Sequence, residues 1–182
     1  MTARPIRSDD LLDLARSFVP PKAAPGRPRS SHLRRGVSLA YYALYHEVVD
    51  QATGELCGAM PARAARRQRV SRWFAHTDVR TLAEAATGGG GGVGRAIADV
   101  LEQPHPDLAS IATSFLLLQG ARHRADYDHR YDLTRHEAVR LVEDAANAIT
   151  RLRRLRRDGD PSVRLFPRLM VGAVRIAKSR AP

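Results

Sequence analysis

Residues 122–131, RHRADYDHRY, set three arginines, two aspartates, two histidines and two tyrosines around one alanine. On a helix turning about 100° per residue, Arg122, Asp126 and His129 stand at i, i+4 and i+7 on one face. Arg124, Asp128 and Tyr131 repeat that spacing on a second, more exposed face. An imidazole one turn from a carboxylate suits proton transfer. An arginine beside it binds phosphate and stabilises negative charge developing there. These are the ingredients of metal-independent RNA cleavage, in which a base takes the 2′-hydroxyl proton and a guanidinium steadies the pentacoordinate phosphate. The same residues also suit a plain salt-bridged helix end, because Arg–Asp pairs at i, i+4 contribute only about 0.2–0.5 kcal/mol and decorate many helices.

The segments that must position these residues read as helices. Residues 8–19, SDDLLDLARSFV, open with Ser8 as the expected N-cap and two aspartates in the first turn, where the helix dipole favours negative charge. Residues 20–30 hold four prolines and no apolar period, so they read as a linker. From 31 to 51, Val37, Ala40, Tyr41, Leu44, Tyr45 and Val48 form a core-facing stripe. Short helices are expected near 61–75 and 78–86, with Thr77 as cap and Asp78 in the first turn. The glycine-rich run 88–94 reads as a flexible loop; no strand precedes it and no Gly-Lys-Ser/Thr follows, so a linker is preferred to a phosphate loop.

After a helix near 93–103 and a break at 103–106, a long helix is expected over 107–130. Its apolar stripe is Leu108, Ile111, Phe115 and Leu118, and the face carrying Arg122, Asp126 and His129 continues it. The next helix, 134–156, begins at Thr134 with Glu137 three residues on, the pattern of a capping box. No segment shows strand alternation. The expected architecture is all-α, an up-and-down helical bundle. It comprises an N-terminal helix and Pro-rich linker (1–30), a bundle (31–157) and a basic C-terminal segment (158–182). That last segment carries Arg164, Arg168, Arg175, Lys178 and Arg180, and Pro167 interrupts it; docking on the bundle with the cations solvated is favoured over a basic amphipathic helix lying on a membrane surface or on RNA.

The chain has 182 residues, 43% of them hydrophobic, enough for one ordinary core. The net charge of +11 attracts polyanions, RNA or DNA first among them. Lys22 and Lys178 are the only lysines, so codon bias towards arginine competes as an explanation. No apolar run approaches a membrane span, which points away from integral membrane association, and the N-terminus lacks the apolar core of a signal peptide, so a cytoplasmic location is expected. The single cysteine, Cys57, rules out an internal disulfide framework. His32, His76, His105 and His136 lack metal-ligand spacing; neither a metal nor a cofactor is expected.

SLAYYALYHEVVD (38–50), followed some seventy residues later by RHRADYDHRYDLTRHEAVRLVEDAANAI (122–149), resembles a HEPN domain. The first piece is similar to the Ser-Arg-Ala-Tyr-Tyr-Ala-x-x-His helix of small prokaryotic members, with Leu39 in place of the usual arginine. The second is similar to their Arg-x-x-Ala-Asp-Tyr motif, as Arg122, Ala125, Asp126 and Tyr127. The resemblance covers about 31–156 and implies a helical bundle that dimerises. In nuclease members, an arginine and a histidine four to six residues apart cut RNA in a cleft shared by two chains. Arg122 and Arg124 both meet that spacing to His129. The Arg124 version extends to Tyr131, matching the Arg-x4-His-x-Tyr form of HEPN toxins, whose tyrosine a nucleotidyltransferase antitoxin can modify with AMP. Many relatives with the Ala-Asp-Tyr signature lack the histidine, and those imply a non-catalytic interaction or RNA/nucleotide-binding module. His46, with Tyr42 at i−4, ends the first signature helix and can face the same cleft or simply pack.

Overall fold

The computed structural model describes residues 6–101 and 105–179, with the side chains of the last helix described as far as Gly172. It is 79% helical and has no strand among the described residues, so the all-α class stands. The helices are α1 (Ser8–Phe18), α2 (Ser30–Cys57), α3 (Ala64–Ser71), α4 (His76–Ala86), α5 (Gly91–Leu101), α6 (Pro106–Tyr127), α7 (Arg135–Arg157) and α8 (Pro161–Ser179), with a 3-10 turn at Pro61–Arg63. The expected break around Pro104, residues 1–5, Arg180 and the side chains of Arg175 and Lys178 lie outside the described residues.

The chain forms two compact units, and neither is a continuous stretch. One takes the described residues of Met1–Glu47 and Leu117–Ile149; the other takes those of Val48–Leu116 and Thr150–Pro182. In the first, α2 is the centre. Every residue from Gly36 to Glu47 except Tyr42 and His46 is buried, so the helix is covered well beyond the predicted stripe. Leu118, Ala121 and Ala125 from α6, and Ala138, Leu141, Val142 and Ala145 from α7, complete this core. In the second unit α8 packs on α4 and α5. Val163, Pro167, Leu169 and Met170 are buried while Arg164 and Arg168 stay exposed, and the helix runs on through Pro167.

Several local expectations are corrected. Ser8 is the first helical residue, not the N-cap; its hydroxyl donates to the buried Glu47 carboxylate at 2.5 Å instead. Thr77 lies inside α4, and the helix start is held by Asp78, whose carboxylate accepts from the Ala75 N–H at 2.8 Å. The glycine run is only partly a loop, since α5 begins at Gly91. Gly94 has to be glycine there, because a Cβ would fall 2.1 Å from the Gly89 carbonyl oxygen. Thr134 does cap α7, accepting from the Glu137 N–H at 3.2 Å. The other half of the expected box is diverted, for the Glu137 carboxylate accepts from the Tyr131 hydroxyl at 2.7 Å.

α1 approaches α2 closely at Gly36, where a Cβ would sit 2.3 Å from Val19 Cγ2 and 3.1 Å from the Ala15 carbonyl oxygen. Alanine there gains helix propensity of about 1 kcal/mol but must displace a stiff β-branched side chain. Gly36→Ala is expected to destabilise the protein by about 1–2 kcal/mol in urea unfolding. Combined with Val19→Ala it should show positive coupling in a double-mutant cycle; strict additivity would exclude this contact as the cause.

Candidate functional site

α6 ends at Tyr127, and the chain then turns before entering α7 at Arg135. What holds that turn is Arg34 on α2. Its Nη1 donates to the carbonyls of Ala125 at 3.2 Å and Asp128 at 2.7 Å, and its Nη2 to those of Tyr131 at 2.6 Å and His129 at 3.4 Å. A helix C-terminus leaves carbonyls without intrahelical partners and carries partial negative charge, so a planar cation with forked donors suits it. The Asp128 carboxylate tightens the same turn by accepting from the Arg130 N–H at 2.9 Å.

The helix end corrects the expected geometry of 122–131. His129 lies beyond α6, so it does not share a helical face with Arg122 and Asp126. The buried stripe continues from Leu118 through Ala121 and Ala125, with Arg122 beside it. Asp126 and His129 are exposed residues, and no described residue hydrogen-bonds the His129 imidazole.

Arg122 and Asp126 do come together. Arg122 Nε lies 2.7 Å from Asp126 Oδ2, an ion pair too bent to count as a hydrogen bond, so this buried N–H has no aligned acceptor. Arg122 Nη2 donates to the Tyr42 hydroxyl at 3.0 Å, and the guanidinium stands over the rings of Tyr42 and Tyr127 at 5.6 and 5.5 Å. The second carboxylate oxygen of Asp126 accepts from Ser38 at 2.6 Å. Burial opposes the Arg122 charge, but Tyr42 and Asp126 outweigh it and raise its pKa.

Arg124 belongs to a separate group. Its guanidinium covers the Tyr131 ring at 4.9 Å, with Arg34 at 5.9 Å from the same ring. Burial and then the hydrogen bond to Glu137 raise the Tyr131 hydroxyl above its ordinary pKa, with Arg124 pulling the other way. His46 packs edge-on to Tyr45 at 5.6 Å, and burial lowers its pKa; no described contact links it to Arg122 or His129. Among the described residues no three His, Cys, Asp or Glu side chains are grouped to hold a metal.

The residues missed from the sequence are Arg34 and Ser38. Both stand with Tyr42 at i, i+4 and i+8 on α2, a polar stripe beside the apolar one, and this stripe contacts α6 in reverse order. Arg34 meets the turn at 128–131, Ser38 meets Asp126 and Tyr42 meets Arg122. The i, i+4, i+8 spacing is present in the sequence, but the apolar stripe beside it is the stronger pattern. Compared with known protein families, curated proteins and solved structures, the chain finds no match.

Arg34→Ala is expected to cost about 2–3 kcal/mol, since charged-donor hydrogen bonds are lost and carbonyls are left partly unsatisfied. Amide exchange should quicken at 128–131, and Arg34→Lys should not restore protection, because one ammonium cannot span the four carbonyls. Unchanged exchange in Arg34→Ala would remove the clamp from the account.

Buried Tyr41 supplies a pH test, because desolvation pushes its hydroxyl up to about 12 despite a hydrogen bond with Gln119. In the unfolded chain it ionises near its ordinary pKa of about 10. The stability linked to it is therefore complete below pH ~10 and is lost as pH rises towards the folded value. Urea midpoints of the wild type should fall more steeply across that alkaline window than those of Tyr41→Phe.

Proposed function

We propose that the chain is a metal-independent endoribonuclease of the HEPN type, working in the cytoplasm as a homodimer and belonging to a toxin–antitoxin or defence system. The observation that carries this reading is the Arg34 clamp. It pins the backbone on both sides of His129 and at His129 itself, while the imidazole keeps no partner of its own. A rigid mount with an uncommitted base is what proton abstraction requires.

In this reading His129 removes the ribose 2′-hydroxyl proton and the resulting alkoxide attacks the adjacent phosphorus. The P–O5′ bond breaks, and the departing 5′-oxygen takes a proton from the imidazolium or from water. The products are a 2′,3′-cyclic phosphate and a 5′-hydroxyl. Arg124, exposed and held only against Tyr131, is the guanidinium that meets the phosphate. Arg122 is a positioning residue, committed to Asp126 and Tyr42. A nucleotidyltransferase antitoxin acting on Tyr131 must first release its hydroxyl from Glu137.

A second reading is favoured by the Arg122–Asp126–Ser38–Tyr42 network, which is paired within the chain. There the segment is structural, and the protein is a non-catalytic HEPN module that binds RNA or nucleotide beside a nucleotidyltransferase.

Purified protein, free of any antitoxin, should cut RNA in EDTA. His129→Ala should slow cleavage at least about 100-fold, and Arg124→Ala by a similar factor. Intact RNA, or cleavage indifferent to His129→Ala, overturns the nuclease reading. The second reading requires that Arg122→Ala and Asp126→Ala lower Tm while His129→Ala alters neither Tm nor growth of expressing cells.

A further inference from the structure

The second unit contains a groove of about 610 Å3, lined by Leu56, Cys57, Val70, Trp73 and Val171 together with three arginines, Arg66, Arg69 and Arg168. That volume lies within the range of about 300–1,000 Å3 usual for ligand sites. No acidic side chain lines it, and none of the three guanidiniums has an acidic partner among the described residues.

The surrounding sequence explains the charge. Residues 56–77 contain five arginines and no aspartate or glutamate. Two of the five are used locally: Arg63 donates to the Cys57 carbonyl, and Arg67 to the carbonyls of Gly58 and Met60. Of the other three, Arg72 does not line the groove, while Arg66 and Arg69 stand at i and i+3, one face of α3, with Val70 beneath them and Trp73 just beyond the helix end. Arg168 reaches the same groove from α8. Trp73 is 67% exposed, a large area for an indole, and Leu56 and Val171 are also exposed.

We propose that this groove binds single-stranded nucleic acid, with a base stacked on the Trp73 indole and backbone phosphates on Arg66, Arg69 and Arg168. Unneutralised guanidiniums beside an aromatic face are the two elements of sequence-tolerant single-strand binding. An acyl chain fits less well, because exposed Leu56, Trp73 and Val171 would leave it half in water. An acidic peptide would satisfy the arginines but seldom offers a planar group to cover the indole. The proposal does not depend on His129, and it stands whether or not the protein cuts RNA.

Trp73 is the only tryptophan, so its fluorescence reports the groove directly. Oligodeoxyadenylate is the probe, since without a 2′-hydroxyl it cannot be cleaved by the route proposed above. Titration into the intact protein at low salt should quench the fluorescence saturably. With a fluorescein-labelled strand read by anisotropy, Trp73→Ala should weaken binding about 5- to 150-fold and Trp73→Phe much less. Arg66→Ala, Arg69→Ala and Arg168→Ala should each reduce the slope of log affinity against log salt by about 0.7. These positions are exposed, so unchanged helicity of the variants confirms that folding is not the cause. Binding that leaves the tryptophan unquenched, or that the Trp73 and arginine variants do not alter, overturns the proposal. So does equal or stronger quenching by polyglutamate or by phosphatidylglycerol vesicles.

Discussion

One guanidinium organises the polar end of the first unit. The last turn of a helix and the irregular chain after it present carbonyls that neither helix nor strand can satisfy, and water satisfies them only at the expense of order. Arg34 meets that constraint by reaching the carbonyls of four residues. With the turn fixed, Tyr131 comes under Arg124, its hydroxyl reaches Glu137, and the start of α7 follows. The neighbouring rungs, Ser38 to Asp126 and Tyr42 to Arg122, set the register of α2 on α6. Register along this pair thus rests on polar contacts, the Tyr41–Gln119 hydrogen bond among them, whereas the apolar stripe supplies burial without choosing among neighbouring offsets.

Arginine plays this clamping part repeatedly. Arg135 holds the carbonyls of Lys22, Ala24 and Gly26, so the proline-rich segment is fastened to α7 despite having no regular structure. Arg63 and Arg67 do the same at the end of α2. Five-donor planar cations serve here where caps or glycines serve in other chains. A share of the net charge of +11 is accordingly structural, and total charge overstates what is available to a polyanion. Arg66, Arg69 and Arg168 are among the described cations without carbonyl or acidic partners, and they are the ones gathered in one groove beside an exposed indole.

The long helices were legible because they bury apolar residues at helical spacing, and the stripes at Val37–Val48 and Leu108–Leu118 are buried as read. The end of α6 was not legible. Neither glycine nor proline marks Tyr127, and the group that makes stopping there favourable lies about ninety residues away in sequence. Helical projection therefore carried His129 one turn too far. Ser8 and Glu137 went wrong for a related reason: each has the chemistry of a local cap, but a partner outside its own helix, Glu47 or Tyr131, takes the side chain. At the glycine run, composition suggested looseness where close backbone approach requires the absence of a Cβ.

The nearly all-round burial of α2 has a consequence for synthesis. α1 precedes it, but the residues of α6 and the following turn that hydrogen-bond it lie about 80 to 97 residues further along the chain. At a translation rate of about 5–20 residues per second, the helix emerges roughly 5–20 s before the segments that cover it. During that interval Tyr41, Leu44 and their neighbours face the ribosome surface and the cell's chaperones without the α6 and α7 residues that complete their core. The nascent chain is thus most prone to aggregation midway through its translation.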